Sequence, residues 1–344
     1  MAQVDQSRQN AKRAEGAARA RTERLLLPVV GGLLLMFALI GFIGTAIKDP
    51  HPHDIPVGLV GPAPAVQQIS AAFGKNAPGA FQFTTYGSEA DARSALDSRA
   101  VDGVLILGGA SPRVVVAAAE GDASIGVITA AFTGAFAAQG ATVAVETVHP
   151  FAGGDAHGLI LFFVVVATLV CSLIVQALML ARAPRAAFAE RVGVVVVFGL
   201  LAGLVGMGTA AWIAGGYGDG FWLAAAMVAL GSAAVGAVVA GLVRLIGPPG
   251  LGLAGLGVVL LGLVTSGGPV GSLLLPDFYR ALAPWMPASP LYRGIRGALY
   301  FDGAGVATAA AVLAAWLVAG LVLMWLGEMR AAGRARVASS APAH

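Results

Sequence analysis

His51-Pro52-His53-Asp54 sets two imidazoles and a carboxylate within four residues, side-chain types that ligate divalent metals. The interleaved prolines and the linker setting argue for a solvated loop instead. His149 and His157 flank a later linker, and neither pair is assigned a metal. A phosphate cradle needs a Gly-rich turn followed by Lys and Ser/Thr. Here the one Gly-Lys pair, Gly74-Lys75, runs into Asn76. No Gly-x-Ser-x-Gly nucleophile turn occurs. The single cysteine, Cys171, excludes an intramolecular disulfide and any Cys-based zinc or iron–sulfur site. The chain is therefore assigned no catalytic residue, no metal and no cofactor of its own. What remains inside the apolar runs is Ser172 and Gln176, four apart on one helical face, suited to hydrogen bonding between helices.

The elements that must position these residues follow from composition. Of 344 residues, 58% are apolar, 11% are charged and 48 are Gly, against about a quarter charged in a typical soluble domain. Uncharged apolar stretches run over 25–47, 158–181, 192–214, 221–243, 250–270 and 304–327. Each would span roughly 31–36 Å as a helix, matching a ~30 Å hydrocarbon core. Lipid forces the backbone to satisfy itself, so the expected fold is an α-helical polytopic membrane protein with six transmembrane helices. The first stretch resembles a signal peptide at Gly44-Thr45-Ala46, but its length favours an uncleaved anchor.

Thirteen Lys and Arg fall on one side of this threading. They lie in the 1–24 tail (Arg8, Lys12, Arg13, Arg19, Arg21, Arg24), the 182–191 loop, Arg244 and the 328–344 tail, alongside five acidic residues. The other side holds eight basic and 13 acidic residues. The positive-inside rule then puts both termini in the cytoplasm. The charge-free spans disfavour a proton-coupled carrier, and a net charge of +3 gives no support for nucleic acid as a partner.

Residues 48–157 form one insertion between the first two spans, expected as a small extracytoplasmic α/β domain. Its pattern reads β-α-β-α-β-β-α-β, with Ser88 capping the second helix and Gly153-Gly154 as an exit hinge. Residues 271–303 carry five charges, so they cannot be a spanning helix. Pro276 opens one short helix, and Ser289 as cap with Pro290 behind it opens another. In the second, Leu291, Ile295 and Leu299 form an apolar stripe, and Arg293, Arg296 and Tyr300 group on another face. Tyr279, Trp285, Tyr292 and Tyr300 suit a lipid–water boundary. This is read as an outer re-entrant or interfacial helical hairpin, with an ordinary interfacial loop as the alternative; Asp277, Tyr279, Arg280, Trp285, Tyr292, Arg293, Arg296 and Tyr300 are its candidate gate residues.

On the opposite side, 181–192 (ARAPRAAFAERV) can form a short amphipathic helix after Pro184, with Arg185, Glu190 and Arg191 exposed and Phe188 apolar. It serves either as a charge anchor or as a dock for a cytoplasmic partner. The basic tail contacts anionic lipid or docks a partner in the same way.

This arrangement resembles the type-2 ABC transporter permeases, in particular the branch with an inserted outer domain that includes the phage infection protein (Pip) family. The residues that carry the likeness are Pro284-Trp285-Met286-Pro287-Ala288-Ser289-Pro290, then Arg293-Gly294-Ile295-Arg296, and the segment 89–107 (EADARSALDSRAVDGVLIL). The outer domain is shorter than in the long members of that branch and lacks their coiled-coil insert. The resemblance implies a permease subunit in the bacterial cell membrane that pairs with an identical or similar half. A separate ABC ATPase subunit would carry ATP and Mg and dock through Arg182, Arg185, Phe188, Glu190 and Arg191. Membrane lipids surround the spans, and their apolar lining suits export of a hydrophobic or amphipathic substrate. The competing reading is a non-transporting scaffold or receptor whose outer domain binds a cell-envelope partner.

Overall fold

The computed structural model describes residues 30, 33–48, 50–109 and 111–340. Helix α1 (Leu33–Ile47) is apolar throughout. The rest of the expected first span, and the basic tail before it, lie outside the described residues.

The α/β insertion runs β1 (Ile55–Val60), α2 (Ala63–Asn76), β2 (Phe81–Tyr86), α3 (Glu89–Asp97), β3 (Gly103–Ile106), β4 (Arg113–Ala117), a 3-10 turn (Ala118–Glu120), α4 (Asp122–Ala137) and β5 (Ala144–Val148). The sheet order is β2-β1-β3-β4-β5; β3 and β4 are antiparallel and every other pair is parallel. Successive strand residues face opposite sides, so the two faces build separate cores. On one face Ile55, Val57 and Leu59 meet Val66 and Ile69 of α2 and Ile128 and Phe132 of α4. On the other, Val104 and Ile106 meet Ala92, Ala95 and Leu96 of α3. As the sequence implies, Ser88 caps α3: its Oγ accepts from the Asp91 N–H at 3.1 Å.

Neither core closes within the insertion. Leu274 completes the α2–α4 face and Phe301 the α3 face, both buried and both from the 271–303 segment between the fifth and sixth apolar runs.

Among the described residues, four helices are long and apolar enough to cross a membrane: α5 (Leu159–Arg182), α6 (Phe188–Ala214), α7 (Phe221–Ile246) and the Val306–Gly333 part of α11 (Val306–Ser340). The chain is thus compatible with a membrane-embedded protein. The fifth expected span, 250–270, is shorter than anticipated. It forms α8 (Pro249–Thr265), with a π-helical stretch at Gly255–Leu260, and at 1.5 Å per residue reaches only about 26 Å. Gly267 takes a left-handed backbone (φ 72°), which ends the helix before 270.

α7 is the hub of the bundle and the most buried of these helices. Small residues bring its neighbours close. The Gly199/Gly203 pair of α6 lies on α7, where a Cβ on Gly203 would stand 2.4 Å from the Ala225 carbonyl oxygen. On the far side, a Cβ on Gly320 of α11 would stand 2.4 Å from the Val238 nitrogen. The small-xxx-small pattern is consumed inside the chain. Ser172 reaches Ser232 of α7 at 3.0 Å and also donates to the Thr168 carbonyl, while Gln176 is buried beside Gly236.

Residues 271–303 fold as two short helices, α9 (Asp277–Leu282) and α10 (Ala288–Tyr300). Ser289 is not the cap that its position before Pro290 suggests. The helix starts two residues earlier than that cap implies, at Ala288; its first bond runs from Leu291 N–H to the Pro287 carbonyl, and Ser289 is buried in the first turn. Leu291 and Ile295 sink into the bundle core against α5, α7 and α11.

Candidate functional site

The face of α10 turned away from the bundle core lies against the α/β insertion. Arg296 projects from α10 and donates from Nη1 to the carbonyls of Ala119 (3.1 Å) and Glu120 (2.6 Å) in the 3-10 turn. Its guanidinium also sits 4.3 Å above the Tyr292 ring. In the opposite direction, Arg99 leaves the loop after α3 and grips Glu120 through two parallel bonds, from Nε (2.5 Å) and Nη2 (2.9 Å). Its Nη1 donates to the Arg293 carbonyl of α10 at 2.8 Å, and its plane covers Phe301 at 4.8 Å. Arg99 and Glu120 side chains are 4% and 8% exposed, so the pair is a buried one whose fork geometry matters. Arg99 holds an uncommon left-handed backbone (φ 61°) to make this reach.

Around this lock lies a cavity of about 220 Å³, lined among others by Asp102, Ser124, Ser289 and Arg293. Burial, reinforced by the Glu120 carboxylate, pushes the Asp102 carboxyl up to about 7, although Arg293, Arg296 and Arg99 pull the other way. For Glu120, burial also pulls upward, but the hydrogen bonds and charge of Arg99, with Arg296 and Arg293 behind them, outweigh it. Glu120 therefore stays below the usual carboxylate range.

Further contacts surround the junction. Arg280 bridges Asp277 (2.8 Å) to Asp54 at the foot of β1 (3.0 Å). The Tyr292 hydroxyl donates to the Gly158 carbonyl, and the Tyr300 hydroxyl accepts from Ala152 N–H, both at 3.3 Å. Tyr279 is buried, whereas Trp285 is exposed and its carbonyl accepts from Trp316 Nε1. The expected Gly153-Gly154 hinge is packed: Gly154 N–H donates to the Ala214 carbonyl, and a Cβ there would meet that backbone at under 3 Å. His149 pairs with Asp97 and His157 with Asp122. Among the described residues, no three His, Cys, Asp or Glu side chains converge to hold a metal.

The loop at the other end of the bundle differs from expectation. α5 stops at Arg182, residues 183–187 form a tight connection, and α6 begins at Phe188, leaving no separate amphipathic helix. Arg191 is buried, not exposed. Its Nε donates to the Ala186 carbonyl (3.0 Å) and its Nη2 to the Pro184 carbonyl (2.9 Å), satisfying backbone that Pro184 and the helix break leave open. Glu190 accepts from Ala187 N–H at 2.7 Å, closing the first turn of α6. Phe188 packs beside Val195 and Met324. Arg182 and Arg185 stay exposed. Arg244 of α7 pairs with Glu328 of α11 at 2.7 Å, and Arg191, Arg244 and Gly327 line one cleft there. The loop 183–187 and the end of α11 therefore lie at the same end of the bundle.

The candidate gate residues Arg293 and Arg296 thus converge on Arg99, Asp102 and Glu120, three residues with no mark in the sequence. Arg99 and Asp102 stand inside the 89–107 segment quoted above, but only the fold shows that they face α10. Comparison with protein families, curated proteins and solved structures finds no match for this chain.

Proposed function

We propose that this chain is the permease subunit of an ABC transporter in the bacterial cell membrane. It works as one of two identical or similar halves, with a separate ATPase and with both termini in the cytoplasm, and it exports a hydrophobic or amphipathic substrate. The observation that carries this reading is the continuous linkage along the molecule. The 183–187 loop joins α5 and α6; both pack on α7; α7 and α11 hold α10; and α10 is locked through Arg296, Arg99 and Glu120 to the α/β domain. A push on the loop is transmitted through packed helices to the opposite face, which is what a motor on a separate chain requires. Spans without ionised residues in their interiors suit apolar cargo.

Purification of the native complex tests the proposal. An ATPase subunit is expected to co-purify, and Arg182→Glu with Arg185→Glu to release it while the permease remains folded. Retention of the partner by that folded double variant removes the docking assignment, and absence of any nucleotide-hydrolysing partner removes the transport reading.

The scaffold or receptor reading draws on a different observation: strands β2 and β5 form the two sheet edges, and Val145 on β5 is exposed. An open edge can accept a strand from a partner. A cell-envelope protein recovered in place of an ATPase would favour it.

A further inference from the structure

The junction cavity contains more hydrogen-bonding capacity than the protein satisfies. Arg293 is exposed, and among the described residues its guanidinium makes no hydrogen bond or ion pair, although its own carbonyl is taken by Arg99. Arg296 is 9% exposed, and its Nε is fully enclosed without a partner. Ser124 and Ser289, 6% and 4% exposed, line the same space, and among the described residues their hydroxyls make no hydrogen bond. Arg99 and Arg296 are committed to protein partners, which leaves Arg293 and the two serines as the uncommitted donors of the wall. Donors dominate the wall. The acidic groups are Glu120, occupied by Arg99, Asp54, paired with Arg280, and Asp102.

We propose that this cavity binds a phosphate-class anion, gripped by the Arg293 guanidinium and completed by the Ser124 and Ser289 hydroxyls. A planar guanidinium presents paired N–H groups that match two oxygens of a phosphate. At about 220 Å³, and with a water occupying roughly 30 Å³ of liquid, the space takes a phosphoryl group and a short stub but not a whole lipid. Ser266, just past α8, and Gly271, in the turns that follow it, also line the cavity, so the site lies at the level of the helix ends, where a headgroup would arrive. The chemistry is shared by a lipid headgroup and by a soluble phosphate. The inference does not depend on the transport reading.

Asp102 gives the site a pH signature. It is faced by Glu120 from the 3-10 turn, Arg99 from the loop after α3, Tyr292, Arg293 and Arg296 from α10, and Asp54 from the foot of β1. Protonated, it offers a donor to the anion; ionised, it repels. Binding is therefore tighter below about pH 7 and weaker above it.

The test uses the full chain in a neutral detergent, titrated calorimetrically with inorganic phosphate, and in nanodiscs of phosphatidylcholine with or without phosphatidylglycerol, followed by native mass spectrometry. Saturable binding is expected from at least one probe, weakened about tenfold or more in Arg293→Gln. Enrichment of phosphatidylglycerol over phosphatidylcholine identifies a headgroup; phosphate binding without enrichment identifies a soluble anion. For the phosphodiester, whose own charge is constant, affinity should fall about tenfold from pH 6 to pH 8, and Asp102→Asn should abolish that fall. Ser289→Ala, with Arg293 intact, should weaken binding by a smaller factor. Arg293 lies outside the packed core, so its variant reports on binding. No saturable binding of either probe, or binding unchanged in Arg293→Gln, overturns the proposal.

Discussion

Arg99 and Glu120 face each other across the junction of the α/β domain and α10, joined by two parallel hydrogen bonds and almost wholly removed from solvent. Twenty-one residues separate them in sequence, yet the pair acts on a third segment, because Arg99 also binds the Arg293 carbonyl and Glu120's own carbonyl receives Arg296. Losing one partner strands a buried charge. Glu120→Gln or Arg99→Ala should each destabilise the protein by about 3–5 kcal/mol. In a double-mutant cycle on thermal unfolding, the two changes should be far from additive. Additivity would show that the lock is not a unit.

Asp102 predicts how stability varies with pH. Its folded value of about 7 lies above the ordinary 3.8, so between those values the folded state holds a proton that the unfolded chain has released. Stability from this group is full below about pH 4 and is lost as pH rises toward 7. Asp102→Asn should flatten that part of the profile. An unchanged slope in chemical denaturation from pH 4.5 to 7.5 would contradict the assignment.

Phe301 closes the core on the α3 face of the sheet, where it meets Leu96, Val104 and Ile106. Phe301→Ala should cost about 3–5 kcal/mol. The loss should appear in the α/β domain, as faster amide exchange in β3 and β4, although the residue lies more than 180 positions downstream of them. Exchange confined to the helical bundle would refute this.

Gly203 cannot gain a side chain. A Cβ would stand 2.4 Å from the Ala225 carbonyl oxygen and 3.1 Å from the Ala229 Cβ, with nothing flexible to yield. Gly203→Ala should destabilise by about 1–3 kcal/mol or more. Gly208→Ala, five residues on with open space around it, should be close to neutral. Equal melting temperatures for the two variants would remove the close α6–α7 contact.

Arg191 and Arg185 separate structure from docking. Arg191→Met leaves the Pro184 and Ala186 carbonyls without a donor, so it should loosen the loop and lower thermal stability. Arg185→Glu, on an exposed side chain, should leave stability within about 0.5 kcal/mol. The reverse ranking in a melting assay would invalidate the loop geometry.

The residue pattern alone determined the long apolar helices, because bilayer-length uncharged runs leave the backbone no other way to satisfy itself. It also determined the order of strands and helices in the insertion and the cap at Ser88, since these rest on neighbours within a few residues. Tertiary structure decided what depends on distant partners. The run at 250–270 ends early because Gly267 turns left-handed, and Arg191, which local polarity marks as exposed, is buried because open carbonyls await it. The junction was illegible for the same reason. Arg99, Asp102 and Glu120 look like ordinary surface charges of a small domain until α10, almost 200 residues away, covers them and makes water's place a cavity.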